Sequence, residues 1–217
     1  GLAFSSNVGI CELLANYINY NQFSDYLDKF GFFQHVDTPY VDQSLGVKNI
    51  GLPTDYLSTG FGQASSITAL QLCQAYTAIF NDGTMVRPYV IDSILDSETG
   101  NVIKKYKKKA VGTPISAQTA KEVQELMSHV TDEGASGERF KVDGIDLLMK
   151  TGTGQIYNQD QGQYDEYYHT SSIMAAAPAN NPKVMVYYGL VSTNITGYSA
   201  EPFKKIMRDT IQTYGIS

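Results

Sequence analysis

The stretch Leu147-Leu148-Met149-Lys150-Thr151-Gly152-Thr153-Gly154-Gln155-Ile156 sets two glycines into a run that otherwise reads as a strand. Glycine weakens a strand unless something must approach its backbone closely. The pattern therefore predicts a strand over residues 145–156 along which an extended ligand can lie. Two further strand-like runs follow, over residues 169–177 and 183–191. The second is nearly continuous in apolar residues, Val184-Met185-Val186-Tyr187-Tyr188-Gly189-Leu190-Val191, as expected of a strand covered on both faces. Pro202 then opens a helix to residue 214 with Phe203, Met207, Ile211 and Tyr214 on one side. Three successive strands closed by a helix predict an α+β architecture, an antiparallel sheet with helices packed on it.

Upstream the period changes. Val8, Leu13, Leu14, Tyr17 and Ile18 form a stripe near the 3.6 period and predict a helix over residues 8–20. A shorter helix is expected over residues 23–30, ended by Gly31. Residues 35–62 hold two prolines and four glycines and read as a long ordered loop. Ser66 is expected to cap a helix over residues 67–80, which Asn81-Asp82-Gly83 terminates. Residues 89–95 and 102–106 read as two strands around the turn Asp96-Ser97-Glu98-Thr99-Gly100-Asn101. A helix capped by Ser116 is expected over residues 116–130. There is no internal repeat.

A chain of 217 residues can bury one substantial core, and one domain is the default. With 42% hydrophobic and 18% charged residues it has the balance of a folded domain. Its 16 basic and 22 acidic residues give a net charge of −6, which argues against nucleic acid as a partner. Cys11 and Cys73 lie in helix-like apolar stretches and read as buried small hydrophobes. His35, His129 and His169 have no metal-ligand spacing, so neither a metal nor another cofactor is expected. No apolar run approaches the ~20 residues needed to cross a bilayer, which places any membrane anchor outside these residues.

Two short motifs carry candidate chemistry. Ser5-Ser6-Asn7 precedes the first helix and on its own reads as an N-cap. Lys150-Thr151-Gly152 is rarer inside a strand. Together they match the second and third of three motifs, S-x-N and K-T-G, that mark the serine acyl-enzyme proteins. The similarity continues through Tyr26-Leu27-Asp28-Lys29-Phe30-Gly31-Phe32, Gly60-Phe61-Gly62-Gln63 and Ile67-Thr68-Ala69-Leu70-Gln71-Leu72. It extends to Asn81-Asp82-Gly83-Thr84-Met85-Val86-Arg87-Pro88-Tyr89, His169-Thr170-Ser171-Ser172 and Ala177-Pro178-Ala179-Asn180-Asn181-Pro182. The chain thus resembles the class B penicillin-binding proteins over essentially its whole length.

The resemblance implies a partial penicillin-binding-protein/β-lactamase-like fold and a D,D-transpeptidase that joins peptidoglycan stem peptides and is acylated by β-lactams. In that family the serine of an S-x-x-K motif attacks the D-Ala-D-Ala carbonyl, with its lysine as base. No S-x-x-K occurs in this sequence; Ser44 precedes Lys48 by one residue too many. The expectation is a C-terminal part of a single transpeptidase domain, residues 1–217, without the nucleophile segment and the first two sheet strands. This chain alone is then expected to be inactive. The resemblance also implies the extracytoplasmic face of the bacterial membrane as its place, and other cell-wall synthesis proteins as partners.

Ser5 is expected to relay a proton between the family's lysine and the leaving amine, and Asn7 to hold a substrate backbone group and that lysine. Lys150 sets a positive charge beside the substrate's terminal carboxylate, and Thr151 donates its hydroxyl to it. By resemblance Thr153 gives its backbone N–H to the oxyanion hole. Gly152 and Gly154 leave room for an added peptide strand.

Glu12-Leu13-Leu14-Ala15-Asn16 has the spacing of the E-x-x-x-N element of some β-lactamases, but it follows Ser5-Ser6-Asn7 directly and Glu12 reads as a helix residue. No other carboxylate suits deacylation, which favours a penicillin target over a penicillin destroyer. The 145 positions between Ser5 and Lys150 also exceed the interval of β-lactamases. A β-lactam sensor domain and a non-catalytic scaffold relative are the alternatives. The run Lys104, Lys105, Lys107, Lys108, Lys109 reads as a protected hairpin edge, or as a contact for anionic wall polymer or lipid headgroups.

Overall fold

A computed structural model describes residues 1–158, 160–193 and 200–216. Its helices are α1 (Asn7–Asn16), α2 (Tyr20–Lys29), α3 (Pro53–Gly60), α4 (Ala69–Phe80), α5 (Ala117–Ser128) and α6 (Glu201–Tyr214). Its strands are β1 (Met85–Val86), β2 (Ser93–Leu95), β3 (Val102–Lys105), β4 (Ala110–Gly112), β5 (Leu148–Asn158), β6 (Gln163–Ala177) and β7 (Val184–Ser192). Two compact units result, one from residues 1–20, 49–65 and 121 onward, the other from 21–48 and 66–120.

The first unit is built on an antiparallel sheet in the order β5-β6-β7, as the sequence pattern predicts. Its register sets Lys150 opposite Met174, Thr151 opposite Ile173 and Gly152 opposite Ser172. Because side chains alternate along a strand, Met149, Ile173, Ala175 and Ala177 share one layer, which Phe203 and Met207 of α6 fill together with Val130 and Phe140. Phe140 and Phe203 meet edge to face at 5.9 Å. Fully burying a side chain such as Phe203 is worth about 1.5–3 kcal/mol, and a sheet layer of alanines leaves space for such a ring.

The apolar run on β7 is not covered on both faces. The strand is half-buried, with Gly189 and Val191 exposed, because β7 pairs with β6 alone among the described residues. The strand buried on both faces is the central one, β6, over Ile173–Ala177. The first helix also departs from expectation. It stops at Asn16, since the N–H groups of Tyr17 and Ile18 both turn back to the Leu13 carbonyl. The single Tyr56 hydroxyl proton is shared between the Ile18 carbonyl at 2.6 Å and the Leu14 carbonyl at 3.2 Å, the second being one of the acceptors the helix end leaves open. Of the predicted stripe only Leu14 is buried; Val8, Leu13 and Tyr17 are exposed. Tyr56 itself lies on α3, a helix inside the stretch read as a loop. Pro53 starts α3 and Leu52 supplies no side-chain cap, so the sequence signal there is weak.

In the second unit α2 starts at Tyr20 and Gly31 follows its end. Thr68, not Ser66, caps α4. Its side chain accepts from the Gln71 N–H while Gln71 reaches back to the Thr68 N–H, a reciprocal capping box. Ser66 is instead bridged to Val47. The buried Gln71 side chain also donates to the carbonyls of Gln34 (2.8 Å) and Leu45 (3.1 Å), fixing the loop between α2 and α3. The Asp96 carboxylate accepts from the N–H groups of Glu98 and Thr99 and closes the turn between β2 and β3, both shorter than predicted. The two-residue β1 and the short β4 pair with each other and escaped sequence reading. Ser116 caps α5 as expected, accepting from the Thr119 N–H at 3.0 Å. Cys11 and Cys73 are free thiols but only half-buried.

Candidate active site

Two adjacent serines divide the start of α1 between them. Ser6 is the N-cap, its Oγ accepting from the Gly9 N–H at 3.1 Å. Ser5 has a left-handed backbone, φ +50°, which leaves its hydroxyl outside the cap. That hydroxyl accepts a hydrogen bond from Lys150 Nζ at 2.7 Å. The turn is secured by the Ser5 N–H to the Leu2 carbonyl (3.1 Å), the Ser6 N–H to the Gly1 carbonyl (3.2 Å) and the Ser136 N–H to the Ala3 carbonyl (3.0 Å). Leu2 packs against the hydrophobic core, so the position of Ser5 is tied to the sheet by packing as well as by hydrogen bonds.

Lys150 is half-buried on β5 and also donates to the Thr151 carbonyl at 2.7 Å. Burial pushes its ammonium below the usual lysine value, because desolvation disfavours the charged form. Among the described residues it has no carboxylate partner, so its charge is available to an anionic ligand group. The neighbouring Thr151 Oγ1 donates to Ser136 Oγ at 3.1 Å. Ser136 lies in the turn ahead of the short helix Glu138–Phe140. Gly152 is packed so closely that a Cβ there would sit 2.7 Å from Ser172 Oγ, and a Cβ on Gly154 would come 3.9 Å from the Gly62 carbonyl.

The structure thus brings together Ser5, Lys150 and Thr151. Thr153 follows on the same strand and is exposed. Asn7 is exposed on the first turn of α1 and makes no hydrogen bond to Lys150 or Ser5 among the described residues. Glu12 accepts from the Asn16 side chain at 2.8 Å and is a helix residue, as read. Sequence reasoning missed Ser136, whose only signal is its place between Gly134 and Gly137 in a short stretch ahead of β5.

The chain is similar to known proteins. Residues 1–212 match the profile of the penicillin binding protein transpeptidase domain. The stage V sporulation protein D of Bacillus subtilis is 30% identical over 98% of this chain, which covers 33% of that protein. The probable peptidoglycan D,D-transpeptidase PenA of Neisseria gonorrhoeae is 29% identical over 98% of the chain and 36% of its own length. The chain therefore spans about a third of the length of these curated relatives. In structure, penicillin binding protein 3 of Mycobacterium tuberculosis, complexed with ampicillin, superposes with a TM-score of 0.87 at 26% identity, covering 99% of this chain and 50% of that one. With its S-x-N turn bonded to its K-T-G strand and a profile match over nearly its whole length, the chain belongs to the penicillin-binding-protein transpeptidase family.

Proposed function

We propose that these residues form the S-x-N and K-T-G side of a serine-type peptidoglycan D,D-transpeptidase that β-lactams acylate, at work on the outer face of the bacterial membrane beside other cell-wall synthesis proteins. The observation that carries this reading is the 2.7 Å bond from Lys150 Nζ to Ser5 Oγ. A hydroxyl has one proton to give. Since Lys150 donates to its oxygen, Ser5 keeps that proton for a leaving amine nitrogen and regains one from the lysine of the S-x-x-K segment, protonated when it took the attacking serine's proton, a relay worth about 10²–10⁴ in rate. Lys150 steadies the negative charge that builds on Ser5 Oγ during transfer.

In this reading the stem peptide lies along β5, its terminal carboxylate near Lys150 and Thr151. Gly152 keeps the strand surface low, and the Thr153 N–H faces the developing oxyanion. Asn7 holds a backbone group of the peptide from α1. When the carboxylate takes the Thr151 proton, Ser136 turns its own proton to Thr151 Oγ1 and so holds that hydroxyl in place. The attacking serine belongs to an S-x-x-K segment, which this sequence lacks.

Labelled penicillin tests the reading in the full-length protein. Lys150→Ala and Thr151→Ala should each slow acylation about tenfold or more, since hydrogen bonds to charged groups are worth about 1.5–3 kcal/mol, with circular dichroism unchanged. Unchanged acylation in both variants would remove the assignment. The 217-residue chain alone should gain no mass on incubation with a β-lactam, and a stoichiometric adduct on any of its serines would contradict the mechanism.

A further inference from the structure

β2 and β3 form a two-stranded ribbon, and among the described residues β3 pairs with β2 alone, so one edge of β3 is open. All four β3 residues are exposed. Lys104, Lys105, Lys107, Lys108 and Lys109 crowd into six positions of a chain whose net charge is −6. Lys105 reaches Asp92 only at 3.9 Å, and Lys104 rests over the Tyr106 ring at 4.9 Å. Lysines alone would suit an edge guarded against pairing with itself. That role does not account for Leu95, Val102 and Ile103, which are 54%, 59% and 66% exposed on the same ribbon.

Three ligand chemistries meet this surface differently. A phosphate polymer uses the lysines and leaves the apolar side chains in water. An anionic bilayer uses both, but it must approach a turn bearing Glu98 and Asp96, whose carboxyl its hydrogen bonds with Thr99 and Glu98 hold below the usual range and hence charged. An extended protein segment uses the lysines, the apolar side chains and the open backbone edge together.

We propose that the free edge of β3 takes an extended acidic and apolar segment of a partner protein as an added strand. Strand direction gives the segment a reading order. β3 bulges at Ile103, since Lys104 and Val102 pair with the consecutive residues Ile94 and Leu95; Val102 and Lys105 therefore share one face and Lys104 stands on the other. An antiparallel partner must therefore read acidic, acidic, apolar, apolar from its N-terminus, with further acidic residues ahead of these to meet Lys107. This interaction is independent of the proposed catalysis, since Lys150 lies in the other compact unit.

The test is fluorescence anisotropy of the 217-residue chain with a labelled peptide Asp-Glu-Glu-Glu-Ile-Val-Thr. Binding should weaken with added salt and vanish when alternate peptide nitrogens are methylated to remove strand pairing. It should fall about tenfold or more in Lys104→Glu/Lys105→Glu and return when that variant meets a peptide with lysines in place of its acids. Poly(glycerol phosphate) and phosphatidylglycerol vesicles serve as competing ligands. Binding of either of these without the peptide, equal binding of the methylated peptide, or no peptide binding up to about 1 mM would overturn the proposal.

Discussion

Lys150 Nζ and Ser5 Oγ lie 2.7 Å apart although 145 positions of sequence separate them, so the strand of one motif is bonded to the turn of the other. Each partner is held independently, Lys150 by the sheet register and Ser5 by the hydrogen bonds of its turn. The expected effects of substitution follow from which of these supports is removed.

Lys150 should show itself in the pH dependence of stability. Burial lowers its pKa below the unfolded value of 10.5, so the unfolded chain binds the extra proton in the window between the two values. Stability of the wild type relative to Lys150→Met should then rise from pH 7 to about pH 10, because the cost of burying the ammonium is relieved there. Paired urea melts at the two pH values measure this, and a wild type that loses stability relative to Lys150→Met as pH rises would contradict the burial of that charge.

Ser136→Ala should leave the fold intact, because its backbone N–H still reaches the Ala3 carbonyl. What disappears is the hydroxyl partner that holds Thr151 Oγ1 in place. One such hydrogen bond is worth about 0.5–1.5 kcal/mol, so penicillin acylation of the full-length protein should slow about three- to tenfold. In a double-mutant cycle with Thr151→Ala the losses should be less than additive; strict additivity would show that the two hydroxyls act separately.

Gly152→Ala should be damaging alone and milder in company. The new methyl would meet Ser172 Oγ at 2.7 Å across the β5–β6 pair. Removing that oxygen with Ser172→Ala should recover most of the lost stability, about 1–3 kcal/mol. Thermal melts of the two single variants and the double decide it. Absence of rescue would mean that the backbone, not Ser172, sets the limit.

Gly83→Ala should destabilise the second unit severely. Gly83 has φ +83°, and a Cβ there would come 2.2 Å from the Ile115 carbonyl oxygen, a backbone atom that cannot rotate aside. The expected cost is about 3 kcal/mol or more, seen as a fall in Tm of roughly 6–12 °C. A melt within a degree or two of wild type would show that the turn after α4 can rebuild.

Much of this was legible in the sequence because it depends on local pattern. The glycines within a strand marked β5, and the spacing of Phe203, Met207 and Ile211 marked the packed face of α6. What failed was decided by distant partners. The end of α1 meets Tyr56 from another helix, and the half-burial of β7 follows from its pairing with β6 alone among the described residues. Thr68 outcompeted Ser66 because Gln71 stands where a reciprocal cap needs it, a signal that was available and overlooked. Ser136 was invisible, since nothing in its neighbours announces Thr151.

The left-handed backbone of Ser5 has a consequence for how this protein could be improved or lost. A residue with a Cβ at φ +50° carries a strain of about 1–2 kcal/mol that glycine does not. Ser5→Gly would relieve that strain but give up the hydrogen bond from the Lys150 ammonium, worth about 1.5–3 kcal/mol, so directed evolution for heat resistance, blind to activity, finds no reward at this position. Any glycine that such a selection lets through leaves a lysine that faces no hydroxyl, so libraries built on this domain should fix position 5 before any thermal challenge begins.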